Sequence, residues 1–153
     1  MTFSGDASYF ENHAGQPDTR SQTVTFGLER QDAGRFQTSL RSDYDLLPYN
    51  WTIGPGRTIP TGGYSWATFK TSYHTNQSKR VYGGSSVQLG GYYNGRKQSY
   101  SVNLNVLPLK RLLVETNFTH NPIDLPGTPT YTTNTLNTRV SYPFAANLFL
   151  KGF

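Results

Sequence analysis

The sequence predicts an all-β chain, an antiparallel up-and-down meander of about 8–9 strands forming part or all of a transmembrane β-barrel. Three observations carry that expectation. First, Val81 to His120 reads as three strand-length segments joined by two very short turns, NGR and PLK. Second, in the middle segment Tyr100, Val102, Leu104 and Val106 alternate with Ser99, Ser101, Asn103 and Asn105. A period of two puts one set on each face of a sheet. Third, hydrophobic residues make up 35% of the chain and charged residues only 15%, against about 25% charge in an ordinary globular domain. Ser, Thr, Asn, Gln, Gly and Tyr fill the difference, as expected where one face meets lipid and the other a wet lumen.

The elements follow in order. Thr2 to Glu11 is a first strand with poor alternation, and ENHAGQPDTR after it reads as a loop. Ser21 to Arg30 sets Val24, Phe26 and Leu28 against Thr23, Thr25, Gly27 and Glu29. After the tight turn QDAGR, Phe36 to Leu46 sets Phe36, Leu40, Tyr44 and Leu46 against Gln37, Ser39, Arg41, Asp43 and Asp45. Residues 47–63 hold three prolines and four glycines and read as a long loop. Tyr64 to His74 carries Ala67, Phe69, Thr71 and Tyr73 on its outer face and turns Lys70 the other way. The turn TNQSK leads into the three central strands, whose last carries Val114 and Phe118 outward and Glu115 inward. HNPIDLPGTPTY reads as a second long loop. Thr132 to Tyr142 then sets Leu136, Val140 and Tyr142 against Asn137, Arg139 and Ser141. PFAA turns into a ninth strand that starts at Asn147.

In an up-and-down meander alternate turns share one end of the sheet. One end collects the short QDAGR, TNQSK, PLK and PFAA; the other collects ENHAGQPDTR, 47–63, the YNGRK hairpin and 121–131. Short turns at one end and long loops at the other match outer-membrane barrels. Asn94-Gly95 suits a type I′ turn at the hairpin. Among aromatics on the lipid face, Tyr44, Tyr93, Tyr100 and Phe118 fall near the long-loop end, and Phe36, Tyr73 and Tyr142 near the short-turn end. Two girdles at the two membrane interfaces follow.

The net charge is +5, with the bases mainly at turns and not in one stripe, which argues against nucleic acid as a partner. With no cysteine there is neither a disulfide framework nor a thiolate metal site. No apolar run reaches the length of a membrane-spanning helix. The N-terminal MTFSGDASYF lacks the basic start and apolar core of a secretion signal. An exported barrel needs one, so residues 1–153 are expected to be a single barrel segment from something longer.

Three stretches together resemble a known family: LLPYNWTIGPGRTIPTGGYSW, then VYGGSSVQLGGYYNGRKQSYSVNLNVLPLKRLLVETNFTHNPIDLP, then LNTRVSYPFAANLFLKGF. In order, they are similar to the C-terminal barrel of a large bacterial family of unknown function. Its members carry an N-terminal domain similar to family-9 carbohydrate-binding modules, followed by an outer-membrane-type β-barrel. The resemblance covers most of residues 20–153 and is strongest at GGYYNGRKQSYSVNL and NPIDLP. It implies a bacterial outer-membrane location and a link to carbohydrate. The chain departs from the family in lacking that N-terminal domain. It also stops at Phe153, where the family continues through further strands, which favours truncation.

A search for chemistry finds little. His13, His74 and His120 are isolated and lack metal-site spacing, so neither a metal nor a cofactor is expected. There is no nucleophile elbow and no phosphate loop. Asp43 and Asp45 share a face, but a solvated lumen wall explains them better than acid–base catalysis. Glu29, Arg41, Asp43, Asp45, Lys70, Glu115 and Arg139 are the charges expected in the lumen; Val102, Leu104, Val106, Val114, Phe118, Leu136 and Val140 are expected against lipid. Tyr49, Trp51, Tyr64 and Trp66 lie in or beside the 47–63 loop, and of these Tyr49, Trp51 and Trp66 are the candidates for stacking on a sugar.

Two roles follow from the sequence. One is a non-enzymatic outer-membrane barrel segment with a structural, anchoring or pore role. Its partners are outer-membrane lipid and the missing parts of the barrel, or a second chain, that close it. The alternative is a soluble all-β carbohydrate-binding module that buries its Val/Leu/Tyr face against a second sheet.

Overall fold

The computed structural model describes residues 1–152 apart from 13, 14, 16, 55, 110, 146 and 147, and from 143 onward it describes the backbone alone. The chain is all-β. Its strands are β1 (Thr2–Glu11), β2 (Pro17–Glu29), β3 (Arg35–Leu47), β4 (Trp51–Gly54), β5 (Arg57–Ile59) and β6 (Gly62–His74). They continue with β7 (Val81–Tyr92), β8 (Gly95–Leu109), β9 (Leu112–Asp124), β10 (Tyr131–Ala145) and β11 (Leu148–Gly152). Nine of them form one sheet in the order β1-β2-β3-β6-β7-β8-β9-β10-β11, each antiparallel to its neighbour. The sheet is open, with β1 and β11 at its edges; β4 and β5 form a separate hairpin.

The register carries the period-two pattern from strand to strand across β2 to β10. On one face Val24 lies opposite Leu40, Leu40 opposite Phe69 and Phe69 opposite Leu89. The same face continues through Val87 and Tyr100, Val102 and Phe118, Phe118 and Leu136, Val106 and Val114, and Val114 and Val140. On the other face Ser39 lies opposite Lys70, Lys70 opposite Gln88, Gln88 opposite Ser99, and Asn103 opposite Asn117. Hydroxyls link neighbouring strands on that face, as in Ser8–Ser21 at 2.8 Å and Ser101–Thr119 at 3.2 Å.

Burial runs opposite to a soluble protein. Along β8 the polar Ser99, Ser101, Asn103 and Asn105 are half-buried, while Tyr100, Val102 and Leu104 are exposed. In β2, Thr19, Ser21, Thr23 and Thr25 are sheltered, and Val24 and Leu28 are not. The sheet therefore curls around its polar face and turns its apolar face outward. Among the described residues no second layer covers that outer face: Val102 is 54% exposed and Leu136 66%. Among the described residues only two hydrophobic ones are buried, Ile59 in the hairpin and Leu125 in the β9–β10 loop.

Several expectations about the connections need correction. Residues 47–63 are not all loop, because β4 and β5 pair within them. Pro17 opens β2, and β9 runs through Pro122 to Asp124, leaving only residues 125–130 between β9 and β10. A proline lacks an N–H to donate, and Pro122 falls where the β8–β9 pairing skips from His120 to Ile123. β10 likewise runs on through Pro143 to Ala145, so the turn after it lies outside the described residues. Of the loops expected to be long, only the β3–β6 connection stays long; residues 12–16 and 125–130 are no longer than the turns 30–34 and 75–80 at the other end. At the hairpin the two turn residues are Tyr93 and Asn94, since Tyr92 pairs with Gly95. Gly95 sits inside the ladder because a Cβ there would collide with the Asp124 carbonyl oxygen of β9.

Candidate functional site

The side chains with most chemistry gather on the polar face at the end where β3 and β6 part. Strand pairing places Asp43 opposite Trp66 and Asp45 opposite Tyr64. The turn residue Tyr93 then swings over this face. Its positive φ of 51° reverses the chain tightly. Four rings pack on Tyr93: Trp66 at 4.7 Å between centroids, Tyr92 at 5.0 Å, Trp51 at 5.5 Å and Tyr64 at 5.6 Å. Three are edge-to-face and Trp66 is tilted, the geometries that ring quadrupoles favour.

Carboxylates sit beneath the rings. The Tyr93 hydroxyl donates to Asp45 Oδ2 at 2.7 Å, and Thr19 Oγ1 donates to Asp45 Oδ1 at 3.3 Å. Burial first, then this hydrogen bond to a carboxylate, pushes the Tyr93 phenol well above its ordinary pKa. Two residues along β3, Arg41 Nε donates to both oxygens of Asp43, at 2.8 and 3.0 Å. Lys97 on β8 places its ammonium over the Tyr92 ring, 5.5 Å from the centroid. Arg41, Asp43, Trp66, Lys70, Tyr92 and Lys97 are among the residues that line a cleft of about 400 Å³. A second cleft of about 510 Å³, lined by Asn103, Asn105, Glu115, Asn117 and Arg139, has no aromatic wall.

The β4–β5 hairpin folds across this end of the polar face. Trp51 reaches the Tyr93 cluster, while Arg57 Nη2 donates to the Pro129 carbonyl oxygen at 3.3 Å. The Arg57 guanidinium also lies 5.1 Å from the centroid of the Tyr131 ring. Residues from β3 to β10 are thereby tied together across the mouth of the curl. Within the hairpin Trp51 pairs with Ile59, whose side chain is completely buried.

The register places all seven charges expected in the lumen on the polar face. Arg41, Asp43, Asp45 and Lys70 belong to the site or its border. Glu29 pairs with Arg35 at 4.0 Å near the opposite end, and Glu115 meets Arg139 directly across β9 and β10 at 3.3 Å. The seven residues expected against lipid all share the apolar face. Of the three sugar-stacking candidates, Trp51 and Trp66 come together through Tyr93, and Tyr49 does not join them; it is 71% exposed. Trp66 belongs to the polar row of β6, not to the loop. Tyr93 is absent from the lipid-face girdle, because its left-handed backbone carries the ring to the other side.

Sequence reasoning missed Tyr92, Tyr93 and Lys97 as site residues; Tyr64, grouped with Trp51 and Trp66 from the sequence, does join them on Tyr93. Two of the three were readable: Tyr92 shares parity with Gln88, and Lys97 with Ser99. Among the described residues no group of three or more His, Asp and Glu side chains is placed to hold a metal. His74 and His120 lie on opposite faces, and His13 lies outside the described residues.

No family model, curated protein or solved structure matches this chain. The site's function must be argued from its geometry.

Proposed function

We propose that this sheet is the wall of a bacterial outer-membrane β-barrel. Its apolar face lies against lipid, its polar face lines a wet lumen, and its role is a pore or an anchor without catalysis of its own. The observation that carries this reading is the inverted burial of β8: half-buried Ser99, Ser101 and Asn103 alternate with exposed Tyr100, Val102 and Leu104. In water such a face would be an apolar patch far larger than monomers tolerate. In a bilayer it is the surface required. No helix among the described residues is long and apolar enough to cross a membrane, so strands are the only crossing elements considered.

Two further observations support it. The apolar row ends at Tyr100 and His120, followed by polar Gln98 and Asn134; His120 Nδ1 and Asn134 Oδ1 lie 2.6 Å apart. Such residues suit headgroup level. The β4–β5 hairpin folds inward over the polar face, as a constriction at a barrel mouth does. Unpaired edge groups cost several kcal/mol each in hydrocarbon. The β1 and β11 edges therefore have to meet further strands, from the same polypeptide or a partner chain.

The chain has no cysteine, so single-cysteine labelling is clean. Val102→Cys, Leu104→Cys and Leu136→Cys, spin-labelled in lipid vesicles, are expected to be open to dissolved oxygen and closed to a water-soluble nickel reagent. Ser101→Cys and Asn103→Cys are expected to show the reverse. A compact monomer that stays soluble without detergent, with both label sets equally wet, would overturn the reading. The soluble carbohydrate-module alternative requires the Val/Leu/Tyr face to be covered, and nothing among the described residues covers it.

A further inference from the structure

The cleft beneath Tyr93 has a composition that a passive pore wall does not require. Trp66 and Tyr92 line it with aromatic surface. Arg41 and Asp43 face into it already joined, the guanidinium Nε contacting both carboxylate oxygens. Lys70 and Lys97 also line it, and among the described residues neither ammonium has a carboxylate within ion-pair distance. The cleft therefore holds an excess of positive charge beside aromatic rings, with one acceptor carboxylate oriented by its own arginine.

We infer that this cleft binds an acidic oligosaccharide. One sugar ring lies on Trp66 and Tyr92, its hydroxyls meet the Arg41–Asp43 pair, and its carboxylate faces Lys70 and Lys97. Aromatic planes take up the apolar C–H face of a pyranose. The aligned carboxylate and guanidinium accept from and donate to vicinal hydroxyls. The two lysines select a charged sugar over a neutral one. A polyphosphate fits less well, because Asp43 lines the cleft and Asp45 lies just behind Tyr93. Arg57 braces the hairpin that carries Trp51, so the cluster is held in place before a ligand arrives. Of the proposed function, the inference rests only on the polar face being open to water.

Both tryptophans of the chain touch Tyr93, so intrinsic fluorescence reports on the cleft. The full chain is refolded in detergent, its fold checked by heat-modifiable gel migration, and titrated with tetragalacturonate, cellotetraose or tripolyphosphate. The expected result is a saturable response to tetragalacturonate at concentrations at least tenfold below those of the other two, weakened by added salt. Trp66→Ala is expected to abolish it. Lys70→Gln, at an exposed side chain that leaves folding intact, is expected to weaken tetragalacturonate at least fivefold and leave cellotetraose unchanged. Equal responses to acidic and neutral sugars, a stronger response to tripolyphosphate, or silence in a heat-modifiable protein would each overturn the inference. Selective binding by a soluble protein that is not heat-modifiable would sink the membrane reading and leave this one standing.

Discussion

The phenol of Tyr93 donates to Asp45 Oδ2 at 2.7 Å, joining the β7–β8 turn to the end of β3 across 48 residues of sequence. The bond holds Tyr93 in its left-handed backbone conformation, which a large side chain adopts only when its surroundings require it. The folded state keeps the phenolic proton more tightly than the unfolded chain, whose pKa is near 10.0. Stability from this contact is complete below that pH and is lost as pH rises through the higher folded-state value. Tyrosinate absorbance should show one of the 11 tyrosines ionising last, and Tyr93→Phe should remove that step. The substitution should cost about 1 kcal/mol, below the usual range for a hydrogen bond to a charged group because the site is partly open to water.

The two faces of β8 should respond in opposite ways to charge. Val102→Arg puts a guanidinium on the apolar face and should cost roughly 2–4 kcal/mol in a bilayer. Ser99→Arg, on the polar face opposite Gln88, should cost less than about 1 kcal/mol. Urea titration of each variant refolded into lipid vesicles measures both. Equal costs would mean that β8 does not separate lipid from water.

Gly95 is held by space and not by backbone conformation. A methyl group there meets the Asp124 carbonyl oxygen of β9 and approaches Leu125 Cδ2 to 2.8 Å. Gly95→Ala should therefore cost about 1–3 kcal/mol, as overpacking does. Asn94→Ala, in the exposed turn beside it, should change stability far less. The same unfolding titration compares them.

Glu115 and Arg139 lie directly opposite on β9 and β10, at 3.3 Å and both partly open to water. A double-mutant cycle with Glu115→Gln and Arg139→Gln should give a coupling of about 0.5 kcal/mol that shrinks as salt is added. A coupling that ignores salt would place the pair in a dry setting, contrary to a hydrated lumen.

The hairpin depends on contacts at its two ends, Trp51 on Tyr93 and Arg57 on Pro129 and Tyr131. Trp51→Ala should release one end and speed tryptic cleavage after Arg57 in the otherwise folded protein. An unchanged cleavage rate would show that Arg57 alone holds the hairpin down.

The amino-acid order alone decided the meander of about 8–9 strands and the face on which the residues of its alternating strands sit. That information is local: Val102 and Ser101 point apart because successive residues of a strand must, and a turn as short as the one between β7 and β8 forces neighbouring strands together. It also placed Arg41, Asp43, Lys70, Glu115 and Arg139 on the polar side. Tertiary structure decided what alternation cannot carry. The β4–β5 hairpin formed within a segment rich in proline and glycine, because Arg57 and Trp51 found partners far along the chain. Tyr93 left its row because a two-residue turn rotated it onto rings and a carboxylate from β3, β4 and β6. β9 ran past Pro122 because the neighbouring ladder skips a bond where the proline has none to give. Each outcome depends on contacts between residues distant in sequence, and a period of two encodes only which way a side chain faces.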